Sequence, residues 1–460
     1  MTRPSTLGGL RATDHVQRTV KEEIRTNLTA ALADGSNAFP GIVGFDDTVL
    51  PQLERALLAG HDLVLLGERG QGKTRLMRTL VGLLDEWTPV IDGCEINDHP
   101  YSPSCVRCRR LTAEAGDDLP VAWKHREDRY GEKLATPDTS VGDLVGDVDP
   151  VRVAEGRTLG DPETIHYGLV PRTNRGIFAL NELPDLAERI QVALFNVLEE
   201  RDIQVRGYTL RLPLDLLLVA SANPEDYTNR GRIITPLKDR FGAEIRTHYP
   251  LEVDEEIGLI AQEAHLAAPV PEHLIEVVAR LARGLRESPS IDQRSGVSAR
   301  FAITAAETVA ASALRRSALT GESTAIARIC DLPGVLPTLH GKVEFEMGEE
   351  GREHEIFAHQ LRVATAETFR DRLRGLDLAG FTARFEEGTT VETGELTRGD
   401  ELLDQMGTVP GLAKVLDRLG LGDAASPGEV ASAVEFVLEG LHLTRRLAKE
   451  TVDGVTVYGA

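Results

Sequence analysis

The chain has 460 residues, 41% hydrophobic and 27% charged, an ordinary globular composition long enough for two to three domains with substantial cores. Its formal net charge of −22 argues against non-specific binding of nucleic acid, which needs a positive surface. The four cysteines, Cys94, Cys105, Cys108 and Cys330, are too few for a disulfide scaffold; with no apolar membrane span and no secretory core in MTRPSTLGGLRATDHV, a cytoplasmic location and no membrane partner are expected.

Apolar spacing predicts an amphipathic helix near residues 16–32, ended by the breaker Ala-Asp-Gly-Ser-Asn at 33–37. Residues 53–58 read as helix, 61–67 as a short buried strand bounded by glycine, and 75–87 as a helix spaced by Leu76, Leu80, Leu83 and Leu84. Residues 88–165 are polar and rich in Pro, Gly and Asp, and read as an insertion between two core strands. Order returns with a buried strand at 176–182, a helix at 186–200, a hairpin-like stretch at 202–212 and a buried strand at 214–220. Strands alternating with helices imply a parallel sheet covered on both faces. From about Leu251 the pattern is mostly helical, with a turn at 341–351 and acidic, mainly helical residues beyond it.

Gly67, Glu68, Arg69, Gly70, Gln71, Gly72, Lys73 and Thr74 match G-x-x-x-x-G-K-[ST] between a predicted strand and a predicted helix. Such glycines let backbone N–H groups wrap phosphates, the lysine meets the β/γ oxygens of ATP, and the Thr hydroxyl turns to Mg2+. The bland alternative is a glycine turn beside an exposed lysine. A second element, Ile177-Phe-Ala-Leu-Asn181-Glu182, is an apolar strand ending at the place where one carboxylate normally sits near Mg2+ and another beside the attacking water. Glu182 is the candidate to polarise that water. Asn181 brings an amide where an aspartate is usual, which should weaken Mg2+ binding or slow hydrolysis. An ordinary strand end is the alternative.

Phe39-Pro-Gly-Ile-Val-Gly-Phe-Asp46, the phosphate loop, 176–182 and Ser221-Ala-Asn223-Pro together resemble the AAA+ branch of magnesium chelatase ATPase subunits and MoxR proteins. His166-Tyr-Gly-Leu-Val, Asn174-Arg-Gly-Ile and Leu144-Val-Gly-Asp-Val-Asp149 fit the same pattern. The resemblance covers about residues 39–310. It implies an α/β P-loop AAA+ core with a five-stranded parallel sheet flanked by helices, then a helical lid and a mainly helical C-terminal region. The corresponding division is 1–38 as an N-terminal helical extension, 39–248 as the nucleotide-binding domain with its insertion at about 88–165, 249–340 as the lid and 341–460 as the acidic C-terminal region.

Carried over by resemblance, Asn223 is the sensor I group, Arg240 in Pro236-Leu-Lys-Asp-Arg240-Phe an arginine finger for a neighbour's ATP, and Arg300 in Ser298-Ala-Arg300 the sensor II group. Ile42 and Val43 would line the adenine pocket. Surface salt bridges are the plainer alternative for both arginines. A hairpin inserted in the helix before the sensor I strand fits 196–212, whereas the Gly-Ala-Phe-Thr-Gly-Ala loop of sigma-factor activators is absent, which counts against that role.

Cys94, Cys105 and Cys108 lie in the polar insertion, and a C-x-x-C pair is the usual half of a tetrahedral zinc site. Either His99 or His125 could complete it, although three reduced thiols are equally ordinary. The function expected is that of an ATP-hydrolysing ring, hexameric or similar, that remodels or activates a protein in the manner of a chaperone. The resemblance implies a von Willebrand factor A domain partner. A nucleotide-gated scaffold with little hydrolysis, motivated by Asn181, and the ATPase subunit of a metal chelatase are the alternatives.

Overall fold

The computed structural model describes residues 3–155, 164–200, 203–205, 208–210, 212–223, 232–292, 296–386, 388–422, 424–452 and 455–460. Two compact units divide the chain, Met1–His248 and Tyr249–Ala460.

The strands of the first unit are β1 (Leu63–Leu66), β2 (Trp87–Ile91), β3 (Val121–His125), β4 (Tyr130–Leu134), β5 (Gly146–Val148), β6 (Ile165–Tyr167), β7 (Gly176–Asn181), β8 (Ile203–Val205), β9 (Tyr208–Leu210), β10 (Leu216–Ala222) and β11 (Ala243–Arg246). Five of them form one sheet in the order β11-β1-β10-β7-β4, with every neighbouring pair parallel. β1, β7 and β10 are buried at every position, as strands covered on both faces must be. Their side chains divide by the two-residue strand period. Leu63, Leu65, Ile177, Ala179, Leu217 and Val219 face one core, and Val64, Leu66, Phe178, Leu180, Leu216 and Leu218 face the other. The pairs β2–β3, β5–β6 and β8–β9 form antiparallel two-stranded sheets.

Residues 88–165 are not a simple insertion between core strands: β4 lies inside that stretch and pairs with β7 as the sheet's fifth strand. Its sequence, YGEKL, hides it, because an edge strand needs little apolar content and this one carries Glu and Lys. The predicted helix at 75–87 is also corrected. It runs only over Lys73–Thr79, tightens into a 3-10 turn at Leu80–Leu83, and Trp87 already opens β2. Leu80 and Leu83 remain buried, so the leucine spacing registered burial rather than helix length.

The N-terminal helix runs over Val20–Asp34, later than 16–32, because Thr19 caps it in a box with Glu22 and Val16 is 73% exposed. Val20, Ile24 and Leu28 bury into the core that holds Leu53. Glu23 pairs with Arg129, both 3% exposed or less, through two 2.7 Å hydrogen bonds. Of the expected hairpin at 202–212, β8 and β9 are present, while residues 202, 206, 207 and 211 lie outside the described residues; so do Pro224 after Asn223 and residues 156–163.

The second unit packs the helices Val253–Glu263, Glu272–Glu287, Ala299–Thr320, Glu353–Arg372 and Pro427–Leu443 around one apolar cluster that runs from Ile260 to Tyr458. Its C-terminal half is not helical alone. β12 (Val391–Gly394), β13 (Ala448–Val452) and β14 (Val455–Gly459) form an antiparallel sheet in the order β12-β14-β13. These strands are short, and in β14 only Tyr458 is buried, so they leave a weak pattern in the sequence. Among the described residues no helix is long and apolar enough to cross a membrane.

Candidate nucleotide-binding site

Parallel strands bring their C-terminal ends to one edge, the place where open α/β sheets form ligand crevices. Here β1 delivers the Gly67–Thr74 loop, its neighbour β10 delivers Ser221 and Asn223, and the next strand, β7, delivers Asn181 and Glu182. The adjacency of these strands, distant in sequence, assembles the site.

The loop is braced from behind. Gly67 N donates to Ala222 O at 3.1 Å, and Gln71 Oε1 accepts from Glu68 N at 3.0 Å and from Thr247 Oγ1 at 2.8 Å. A side chain at Gly67 would collide with Thr247 and Gln71. Gly70 and Gly72 take φ of 78° and 75°, backbone that other residues adopt only under strain. Among the described residues, no atom apart from its chain neighbours and its own helix backbone lies within 4 Å of where a Cβ on Gly72 would stand, so open space abuts the loop there. Lys73 is 6% exposed; its ammonium donates to Gly67 O and, at 2.7 Å, to Glu68 O. A buried cation curled over a glycine loop with free space against its amides is a donor set that fits a phosphate chain.

Asn181 is the hub of the acidic side. Its Oδ1 accepts from Thr74 Oγ1 at 3.1 Å and from Ser221 Oγ at 3.2 Å, and its Nδ2 donates to Glu132 Oε1 at 2.8 Å. A carboxylate only accepts, so the amide's orientation follows from Glu132. Ser221 Oγ also accepts from Glu182 N at 3.2 Å. Glu182 is half-buried and held at φ 55°, a left-handed conformation rare outside glycine. Glu132, on β4, accepts from Arg78 Nε at 2.8 Å and from its other guanidinium nitrogen at 2.9 Å, and these bonds hold its carboxyl below the usual carboxylate range. Nothing in the sequence singled out Glu132, and Ser221 stood only as the first residue of the Ser221-Ala-Asn223-Pro motif, with no role of its own. The role of each becomes visible only through strand pairing, which sets Glu132 beside Ala179 and Ser221 on the strand next to β7.

Asn223, 3% exposed, follows directly on β10. Arg240 ends the helix Thr235–Arg240, is exposed, and pairs with Glu199 at 2.8 Å while lying 5.1 Å from the Phe195 ring. Ile42 and Val43 are half-buried in the turn before the helix Val49–Ala59. Arg300 belongs to the second unit, exposed in the first turn of Ala299–Thr320 behind the N-cap Ser298.

The cysteine cluster forms elsewhere in the first unit. Cys94, Cys105 and Cys108 come together with Asp98. Neither histidine joins them. His99 Nδ1 accepts from Tyr101 N at 3.0 Å and its Nε2 faces His15 Nε2 at 3.0 Å; His125 ends β3 and accepts from Glu127 N.

The loop, the strand order and the Asn181–Glu182 strand end define a P-loop protein of the AAA+ class. A family model described as the Sigma-54 interaction domain matches residues 158–240, a minor part of the chain that contains Asn181, Glu182, Asn223 and Arg240. The magnesium-chelatase 38 kDa subunit of Cereibacter sphaeroides is 27% identical over 237 residues, 49% of this chain and 62% of that protein. The 38 kDa subunit of Acidiphilium rubrum is 28% identical over 319 residues, 66% of this chain and 75% of that protein. A solved chain from the complex between subunits BchI and BchD of magnesium chelatase aligns at 22% identity with a TM-score of 0.37, over 67% of this chain and 97% of that one; the fold assignment rests on the strand order instead. Within the AAA+ class these sequence relatives are magnesium-chelatase subunits, and the chain is similar to them. It spans about three-fifths of the length of the Cereibacter relative.

Proposed function

We propose that the chain binds ATP with Mg2+ at Gly67–Thr74 and hydrolyses it within a ring of identical subunits, using the cycle to remodel or activate a protein partner. The observation that carries this reading is the hydrogen-bonded series Thr74–Asn181–Ser221–Glu182, which ties the phosphate loop to the acidic strand end. Bound ATP supplies the phosphoanhydride to be cleaved, and Mg2+ neutralises charge on its oxygens. Loop amides and Lys73 hold the phosphates, and Thr74 offers its hydroxyl to the ion. Glu182 polarises the attacking water and Asn223 positions it.

Glu132 joins this set. Hydrogen-bonded to Asn181, it places a negative charge one side chain away from where an aspartate would place it. Arg240 reaches a neighbouring subunit's ATP. Its exposed pair with Glu199 is worth at most about 1 kcal/mol, so it is released at little cost. Arg300 relays nucleotide state to the helical second unit, and Ile42 and Val43 face the base.

For the partner, the resemblance to the chelatase and MoxR branch favours a von Willebrand factor A domain protein. The names of the relatives favour a second reading, the ATPase subunit of a metal chelatase; a magnesium-insertion assay reconstituted with the chain separates the two. Titration with a fluorescent ATP analogue, run beside phosphate release, tests the core reading. Wild type binds and releases phosphate, and Lys73→Ala loses both. Binding with no release would leave only a nucleotide-gated scaffold and reject hydrolysis.

A further inference from the structure

The polar loop between β2 and β3 carries a cluster that the nucleotide site does not use. One ligand atom from each of Cys94, Asp98, Cys105 and Cys108 lies within 4.8 Å of all the others. We propose that these four side chains form a structural zinc site, three thiolates and one carboxylate, that locks this loop onto the sheet.

Plain burial of small apolar thiols does not account for the arrangement. Cys105 and Cys108 are 7% and 0% exposed and pack with Ile91, Ile96 and Leu119, which would suit thiols alone. Yet Asp98, 1% exposed, sets a carboxylate among them. It accepts from Ser104 Oγ as well as from backbone amides, but hydrogen bonds leave its charge beside three sulfurs without a cationic partner among the described residues, which a bound cation would supply. The backbone is also arranged for thiolates. Asp98 N donates to Cys94 Sγ and Cys108 N donates to Cys105 Sγ, each at 3.3 Å. Cys105 is the N-cap of the ten-residue helix Val106–Ala115, where the helix dipole favours negative charge. Asp98 accepts from Ser104 N at 3.0 Å and Cys105 N at 2.9 Å, so the same loop that presents Cys105 orients the carboxylate.

Thiolates bonded to zinc at about 2.3 Å in a tetrahedron stand roughly 3.8 Å apart, and the cluster needs only a small contraction to reach that. Four protein ligands close the shell, the mark of a structural rather than catalytic ion. Between residues 92 and 120 the fully buried apolar side chains are few, so the ion supplies cohesion that this loop's own core lacks.

The test is metal analysis of the full chain, purified under reducing conditions without nucleotide and reconstituted with zinc. Wild type should retain about one zinc per chain, and Cys108→Ser less than about a tenth of that. Asp98→Asn should lose zinc to a chromogenic chelator with at least about 10-fold weaker affinity, since loss of even an outer-shell partner costs that much. Because a cysteine variant can fail to fold, wild type stripped by a chelator provides the second readout: its thermal midpoint should fall by several degrees and recover with zinc but not with magnesium. A reconstituted wild type without zinc, or an Asp98→Asn chain of undiminished affinity, overturns the assignment.

Discussion

Asn181 Nδ2 donates to the Glu132 carboxylate at 2.8 Å, while Asn181 Oδ1 accepts from Thr74 Oγ1 at 3.1 Å. One amide thus links the phosphate loop to a carboxylate on the sheet's edge strand. If that carboxylate serves Mg2+, Glu132→Gln removes charge with little change in shape. The Mg2+ concentration for half-maximal turnover should rise roughly 10- to 100-fold, as for other groups that support a metal's ligands, with kcat at saturating Mg2+ little changed. An unshifted Mg2+ titration would remove Glu132 from the site.

The phosphate loop and the Asn181–Glu182 strand end were legible because each is a short local pattern whose chemistry fixes residue type and spacing. Glu132 was not, since β4 (YGEKL) reads as polar loop and only its pairing with β7 brings Glu132 to Asn181. The grouping of Asp98 with the three cysteines was not legible either, for a related reason. The C-x-x-C half-site drew attention to His99 and His125, yet their ring nitrogens are engaged by Tyr101, His15 and Glu127 instead. The alternating α/β pattern gave the sheet correctly. The three-stranded sheet of the second unit escaped because its strands are short and mostly unburied.

Glu23 and Arg129 form a buried pair that fastens the helix Val20–Asp34 to the first unit. Arg129 also donates to Arg175 O at 2.7 Å, so it cannot swing out to water when its partner is lost. Glu23→Ala should cost about 3–5 kcal/mol, the usual penalty for stranding one partner of a buried pair. Denaturant unfolding followed on the first unit measures this.

In the second unit, burial pushes His273 down to about 3 from 6.5, and its Nδ1 has no hydrogen-bond partner among the described residues. The folded form therefore refuses a proton that the unfolded chain accepts below about pH 6.5. Stability from this residue is complete above that pH and declines as pH falls toward 3, by at most about 1.4 kcal/mol per pH unit. Urea midpoints of wild type should drop between pH 6 and pH 4 more steeply than those of His273→Gln. Parallel curves would contradict this.

Arg240→Ala breaks an exposed ion pair and a surface contact with the Phe195 ring in the isolated subunit, so the thermal midpoint should barely move. Turnover should fall by about 10³-fold or more if the arginine acts on a neighbour's ATP. Mixing it with a Glu182→Gln subunit should restore part of the activity, because each chain supplies what the other lacks.

Steady-state phosphate release under saturating ATP and Mg2+, wild type against Glu182→Gln, bears most directly on hydrolysis at this site. Glu182 sits at the strand end with φ 55° and its N–H fixed by Ser221, and a positioned general base contributes roughly 10²- to 10⁴-fold. The predicted result is a drop of at least about 10²-fold with nucleotide binding retained. Equal turnover in the two proteins would contradict it.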